Sequence, residues 1–173
     1  FTYLRNEGVL NRINYLYPID EPNLLVTTPE EHLKIIKVAK KVAAEFTELK
    51  NAKWMAIYVR KVDFWNIEEH DVVGVDNYDQ KSEVLTKGDH ARLMKAKLPH
   101  QTTIIVPGCG YGQNPDAFVA YAHTEPSVEI VAGFLWFEYD NPEEKDADFV
   151  GLEVRDEAFK EKWRQAGLTV MNK

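Results

Sequence analysis

Two carboxylates stand side by side in the stretch YPIDEPN, residues 17–23: Asp20 and Glu21, immediately before Pro22. Such a pair suits acid-base chemistry, with one carboxyl moving a proton and a like-charged neighbour raising its pKa. Neighbours in a loop point apart, so one of the two suffices to face a site, Glu21 ahead of Asp20. The plainer alternative is a turn whose acids favour the positive end of the next helix. Two more stretches carry acids beside aromatics: VGVDNYD with Asp76, Tyr78 and Asp79, and FLWFEYD with Trp136 and Glu138. Asp76 closes an apolar run, where a buried charge needs a partner, whereas Asp79 reads as the more solvated acid. Trp136 and Glu138 have same-face spacing on an extended chain. A Trp beside carboxylates can stack a sugar ring, and it can equally be core.

These residues need strands that end where they stand. The apolar run Ile13–Tyr17 reads as a first strand stopped by Pro18. Thr28 then suits an N-cap, Pro29 the first helical position, and Glu31 the far side of a capping box. The helix is expected from Pro29 to about Leu49, with Leu33, Ile35, Ile36, Val38, Val42, Ala43 and Phe46 as its apolar stripe and Lys34, Lys37, Lys40 and Lys41 facing water. Further strands are predicted at Trp54–Arg60, Asp71–Asp76, Thr102–Pro107 and Val128–Phe137. The link between the second and third is too short for a full crossover helix. Helices are predicted over Ser82–Leu98, from a cap at Asn114-Pro115 through His123, and over Arg155–Ala166 with Gly167 at C′. Phe1–Asn11 makes a weak amphipathic helix interrupted by Gly8.

Strands alternating with helices imply a mostly parallel sheet in one α/β domain over residues 1–173. Ligands of such sheets bind in the loops after the strands' carboxyl ends, where the acids lie. Five strands fit an open doubly wound sheet or the second half of an eight-stranded barrel. In the half-barrel, the inner face would carry Ile13, Tyr15, Ile57, Val73, Ile105 and Ile130 or their strand neighbours. Five strands cannot close that barrel, so an N-terminal half-barrel segment or a homo-oligomer is expected to complete it. The first residue, Phe1, fits a chain that is processed, excerpted or part of a longer protein.

Other chemistries find less support. A net charge of −7 argues against nucleic acid and against an anionic membrane, both of which need basic patches. No apolar stretch approaches the roughly 18 to 20 residues of a membrane span. The five histidines are scattered without metal-ligand spacing, so neither a metal nor a cofactor is expected. The loop GCGYG lacks the dinucleotide-binding spacing and reads as a glycine-permitted turn beside a substrate, with Tyr111 in it. Cys109 would need a nearby base to act as a nucleophile, and no serine-hydrolase elbow is present.

INYLYPIDEPN resembles the fourth strand of the large clan of retaining (β/α)8-barrel glycoside hydrolases, which ends in an acid-base Glu followed by Pro. Glu21-Pro22 takes that place, with Asp20 where the clan usually has Asn. VGVDNY is similar to the sixth strand and FLWF to the eighth, with Trp136 at the sugar-platform position. The resemblance implies strands four to eight of a TIM barrel. It further implies hydrolysis of a glycosidic bond in an oligo- or polysaccharide. Glu21 would be the general acid, Asp76 or Glu138 the nucleophile or base, and Asp20, Tyr78, Asp79, Tyr111 and Trp136 would contact substrate. One departure stands out: the expected seventh strand, TTIIVPGCGYG, has no carboxylate where the clan keeps its nucleophile. A non-catalytic carbohydrate-binding barrel and an open flavodoxin-like domain are the alternatives.

Overall fold

The computed structural model describes residues 1–25, 28–59, 63–76, 87–107, 115–132 and 156–171. Five strands run β1 (Tyr15–Leu16), β2 (Lys53–Val59), β3 (Val72–Asp76), β4 (Thr102–Val106) and β5 (Val128–Val131). All pair in parallel and in chain order, β1-β2-β3-β4-β5. The helices are α1 (Thr2–Asn6), α2 (Pro22–Leu25), α3 (Pro29–Ala43), α4 (Asp89–Ala96), α5 (Asp116–Thr124) and α6 (Glu157–Met171). None of the described helices is long and apolar enough to cross a membrane.

Side-chain alternation sorts the sheet into two faces. On the outer face, Leu93 of α4 packs on Ala56, Tyr58, Val73 and Val75, and Phe118 and Ala122 of α5 pack on Ile105 and Val128. Leu16, Trp54 and Ala43 of α3 continue that layer with Leu10 and Leu49. The inner face gathers Val72, Ile104 and Val106 with the half-buried Tyr15, Met55, Ile57, Ile130 and Ala132. The helices packed on the sheet thus share one side, and a sequential strand order has no switch point. A doubly wound or flavodoxin-like sheet has both features reversed, so the sheet is a curled half-barrel. Tyr15, Ile57 and Ile130 lie inside as expected. Val73, Ile105 and Ile13 belong to the outer layer, and Gly74 and Ile104 take the inner positions.

The curl is held at the amino ends of the strands. β5 carries a bulge: Thr103 pairs with Val128 but Ile104 with Ile130, leaving Glu129 as the extra residue. An extra residue re-aims its side chain. Glu129 accepts from Lys53 Nζ on both oxygens (2.7 and 2.6 Å), from Tyr15 Oη (2.6 Å) and from Thr102 Oγ1 (2.6 Å). One carboxylate thereby ties edge strand β1 to edge strand β5 across the interior. These contacts stabilise its charged form and hold its pKa below the usual range despite burial, which acts oppositely. The Tyr15 phenol is pushed up to about 12 by burial and by the same carboxylate.

Several helices differ from expectation. α3 begins as predicted, with Glu31 N donating to Thr28 Oγ1 (3.2 Å) and Pro29 at the first turn. Its buried stripe is His32, Ile36 and Ala43, whereas Val38 and Val42 are exposed. Lys40 is drawn in with that stripe: its Nζ meets the Glu69 carboxylate and backbone carbonyl, both at 2.8 Å, and sits over the Trp54 ring. The helix ends at Ala43, and residues 47–49 form a separate 3-10 turn. α1 stops at Asn6 because Gly8 turns left-handed, with φ +69°. α6 runs through Gly167 instead of ending before it. Among the described residues, the short link before β3 holds a 3-10 turn at Ile67–Glu69 and no α-helix.

Candidate functional site

β1 pairs with β2 over only two residues, Tyr15 and Leu16, and the chain then leaves the sheet at Pro18. Asn23 takes over the pairing that β1 gives up. Its Oδ1 accepts from Val59 N (2.9 Å), and its Nδ2 donates to the carbonyls of Val59 and Asp63 (both 3.3 Å). The side-chain amide thereby acts as one more rung on the carboxyl end of β2, and it is buried. Between Pro18 and Asn23 the chain must turn sharply, and Glu21 takes the strain with φ +38°. A non-glycine residue in this region costs on the order of 1 kcal/mol or more and tends to mark functional sites. The carbonyl of Glu21 then receives Leu24 N (2.8 Å) and Leu25 N (3.0 Å), starting α2.

The turn carries Glu21 to the rim of the half-barrel, where it meets Asp76. Asp76 is the last residue of β3, in register with Val59 of β2 and Val106 of β4. Alternation from Val72 puts it on the inner face, 7% exposed. The Glu21 carboxyl group lies close enough to Asp76 for the two to interact. Burial and the adjacent Asp20 charge raise the Glu21 pKa, and Asp76 acts in the opposite direction. Asp20 turns away to Tyr17, whose Oη donates to Asp20 Oδ1 at 2.5 Å. Burial first, then Asp20, pushes the Tyr17 phenol far above its ordinary value.

No protein-family model, curated protein or solved structure matches this chain. The arrangement is therefore read from its own chemistry. Three of the acids singled out in the sequence, Asp20, Glu21 and Asp76, come together on one rim. Tyr78, Asp79, Tyr111, Trp136 and Glu138 lie outside the described residues, as does Cys109. Among the described residues no group of three His, Cys, Asp or Glu side chains stands as a metal set. The rim offers one group suited to proton chemistry, Glu21, whose pKa burial and the neighbouring Asp20 raise.

Sequence reasoning passed over Tyr17, Asn23 and three of the histidines. Tyr17 is one residue past the paired part of β1, and same-face alternation with Tyr15 was the available signal. Asn23 had no local signal, because its partners are about 36 to 40 residues away. His32, His70 and His90 are buried. The His32 and His70 rings stack with centroids 5.6 Å apart, and burial lowers His70 and His90 each to about 4.

Proposed function

We propose that this rim is a glycoside hydrolase-like site, in which Glu21 supplies the proton to the leaving oxygen of a glycosidic bond. The single supporting observation is Glu21, raised above its ordinary pKa by burial and by Asp20, on the rim where β3 ends in the buried Asp76. A general acid works best with its pKa near the working pH. Glu21 is the donor in this reading. The carboxylate that attacks the sugar or activates water is Asp76 or Glu138, at about 5 to 5.5 Å from Glu21 for retention or about 6.5 to 9.5 Å for inversion. Substrate is an oligo- or polysaccharide, with Trp136, Tyr78, Asp79 and Tyr111 as its contacts in this reading.

Reducing-sugar release from a panel of polysaccharides tests this. Glu21→Gln should lower hydrolysis of an unactivated substrate at least about a hundredfold with little change in stability. Full activity in that variant removes Glu21 from the mechanism. The lack of a carboxylate in TTIIVPGCGYG favours one second reading, a carbohydrate-binding barrel without turnover. Oligosaccharide binding by calorimetry with no release of reducing ends would establish it.

A covering partner belongs to the same proposal. β1 is an edge strand, and beside it Leu24, Leu25, Val38 and Val42 are all exposed. A cleft of about 670 Å³ runs between them, lined by Pro18, Leu25, Ile35, Val38 and Ala39. A complementary half-barrel of parallel strand–helix units fits this flank, adding a strand to β1 and a helix to α3.

A further inference from the structure

We infer that Asn66, His32 and His70 form an acid-opened clasp that holds the amino end of α3 on the link between β2 and β3. The clasp stands apart from the chemistry proposed for Glu21. Both rings are buried, and they stack with centroids 5.6 Å apart and planes 16° from parallel. Asn66 has a left-handed backbone, φ 51° and ψ 39°, which asparagine adopts more readily than most residues. Its Nδ2 donates to the Pro29 carbonyl at 2.8 Å and lies 3.2 Å from His32 Nδ1. Its own carbonyl lies 3.2 Å from His70 Nδ1. One residue thus grips the first turn of α3 at two points and holds the second ring through its backbone.

These contacts decide where the protons sit. Only an N–H can meet the Pro29 carbonyl at that distance, so the Asn66 amide cannot be turned over, and Nδ2 donates to His32 as well. His32 Nδ1 therefore accepts, and its proton sits on Nε2. His70 Nδ1 must donate to the Asn66 carbonyl, which leaves the lone pair on His70 Nε2. Acid then reaches each ring at an unfavourable atom. A proton on His32 Nδ1 would face the Asn66 N–H, donor against donor. A proton on His70 would go to Nε2, a buried atom with no hydrogen-bond partner among the described residues.

The surrounding charges give little relief. Burial first, then His32 and Lys40 of α3, disfavours a charge on His70, and Glu69, which favours one, is already bonded to Lys40 Nζ at 2.8 Å. From β2, Tyr58 packs edge-on to His70 and spends its hydroxyl on the Trp65 carbonyl. Glu68 and Lys37 act one step removed, on Tyr58 and on Glu69. Burial lowers both histidines, His70 to about 4. With folded values below the ordinary 6.5, the clasp is whole above that pH and weakens as pH falls. α3 also presents Val38 and Val42 to solvent, so acid would loosen the helix that carries this apolar face.

Ring nitrogen shifts by NMR near neutral pH read the tautomers in the full chain. His32 should carry its proton on Nε2 and His70 on Nδ1, and the reverse tautomer on either ring would overturn the inference. Hydrogen exchange reads the opening. The His32 amide, which donates to the Thr28 carbonyl at 3.2 Å, should exchange through local opening, faster than the amides of β3. After correction for the intrinsic rate, that opening should become roughly tenfold more frequent for each pH unit below 6.5, for one proton taken up. A pH-independent opening would overturn the clasp, and so would exchange no faster than in β3, since nothing would then open locally. Asn66→Gly keeps the left-handed backbone and its carbonyl while deleting the amide, so the first turn of α3 should lose roughly tenfold in protection at neutral pH. Asn66→Asp sets an acceptor against His32 Nδ1, so His32 should titrate above 6.5 instead of below it. Unchanged protection in the glycine variant, or a His32 still lowered in the aspartate variant, would assign the effect to burial alone and overturn the inference.

Discussion

Gly74 is the residue whose replacement tests the inner layer most sharply. It sits mid-β3, opposite Ile104 of β4 and two residues before Asp76 on the same face. A Cβ at this position would lie 2.5 Å from Ile104 Cγ2 and 2.9 Å from the Ile104 carbonyl oxygen. The side-chain contact can be relieved by a rotamer change, but Ile104 is itself buried and has little room to move. The carbonyl belongs to the β3–β4 ladder, so relieving it means spreading two strands. Overpacking of this kind costs about 1 to 3 kcal/mol. Alanine also lowers the entropy of the unfolded chain, returning about 0.4 to 1 kcal/mol. Gly74→Ala should therefore lose about 1 to 2 kcal/mol. With a urea slope of about 2 kcal/mol/M for a chain this size, the midpoint falls by about 0.5 to 1 M.

Ile104→Ala supplies the control. Alone it should cost about 2 to 5 kcal/mol as a buried truncation. Combined with Gly74→Ala it should cost less than the sum, by an interaction energy of about 0.5 to 3 kcal/mol. The added methyl would then fill space that Ile104 vacates, with only the carbonyl contact left. An unchanged urea midpoint in Gly74→Ala, or strict additivity in the pair, would refute the close approach. Since Asp76 rides on the same strand, the carboxyl titration of Glu21 should shift in Gly74→Ala as well.

The three buried histidines predict acid sensitivity. Their folded pKa values are lowered, to about 4 for His70 and His90, so the unfolded chain binds more protons below its own value near 6.5. Stability should fall as pH drops from about 6.5 toward 4, by up to about 1.4 kcal/mol per pH unit for each histidine. Glu21, with its raised pKa, acts oppositely, so Glu21→Gln should steepen the decline in urea melts across that window; a flat profile would contradict neutral burial. Glu129→Ala should cost about 2 kcal/mol, the scale of charge-assisted hydrogen bonds discounted for the partly exposed Lys53, and should loosen amide protection in β1 and β5 before β3. Sedimentation of the chain at micromolar concentration should show association through the β1 flank, reduced by Val38→Glu; a monodisperse, dye-silent monomer would count against the covering half-barrel.

Much of the framework was legible because strand and helix periods differ. Apolar runs of strand length separated by capped helices were enough for a parallel α/β sheet, and the Thr28-Pro29 cap was read correctly. What escaped was decided by tertiary contact. α3 carries apolar residues around more than half its circumference, so its sequence allowed two rotations. The sheet selected the one with His32, Ile36 and Ala43 inward and left Val38 and Val42 outside. The first strand shrank to Tyr15–Leu16 because β-pairing needs a neighbour in register, and Asn23 replaces the rest. Glu129 lay in the run VEIV, where alternation predicts a solvent-facing side chain. Only the bulge turns it inward, and a bulge leaves no mark in composition.

The two ends of the half-barrel's interior are wired differently, and the difference bears on where chemistry belongs. At the amino ends, Glu129 has a lysine and two hydroxyls on its oxygens, so its charge is neutralised and its geometry fixed. A group so satisfied has a depressed pKa and no reason to exchange a proton near neutrality. At the carboxyl ends, burial and the charge of Asp20 act on Glu21 and raise its pKa. A carboxylate in a buried place beside a like charge ionises less readily. The same half-barrel therefore lowers the pKa of one carboxyl and raises that of the other. Partner chemistry, more than depth of burial, sets that outcome, so Lys53→Met should free Glu129 to titrate upward while leaving Glu21 unchanged. Carboxyl carbon shifts would read both sites in one experiment. A Glu129 that stayed depressed without Lys53 would mean that the tyrosine and threonine hydroxyls alone hold its charge.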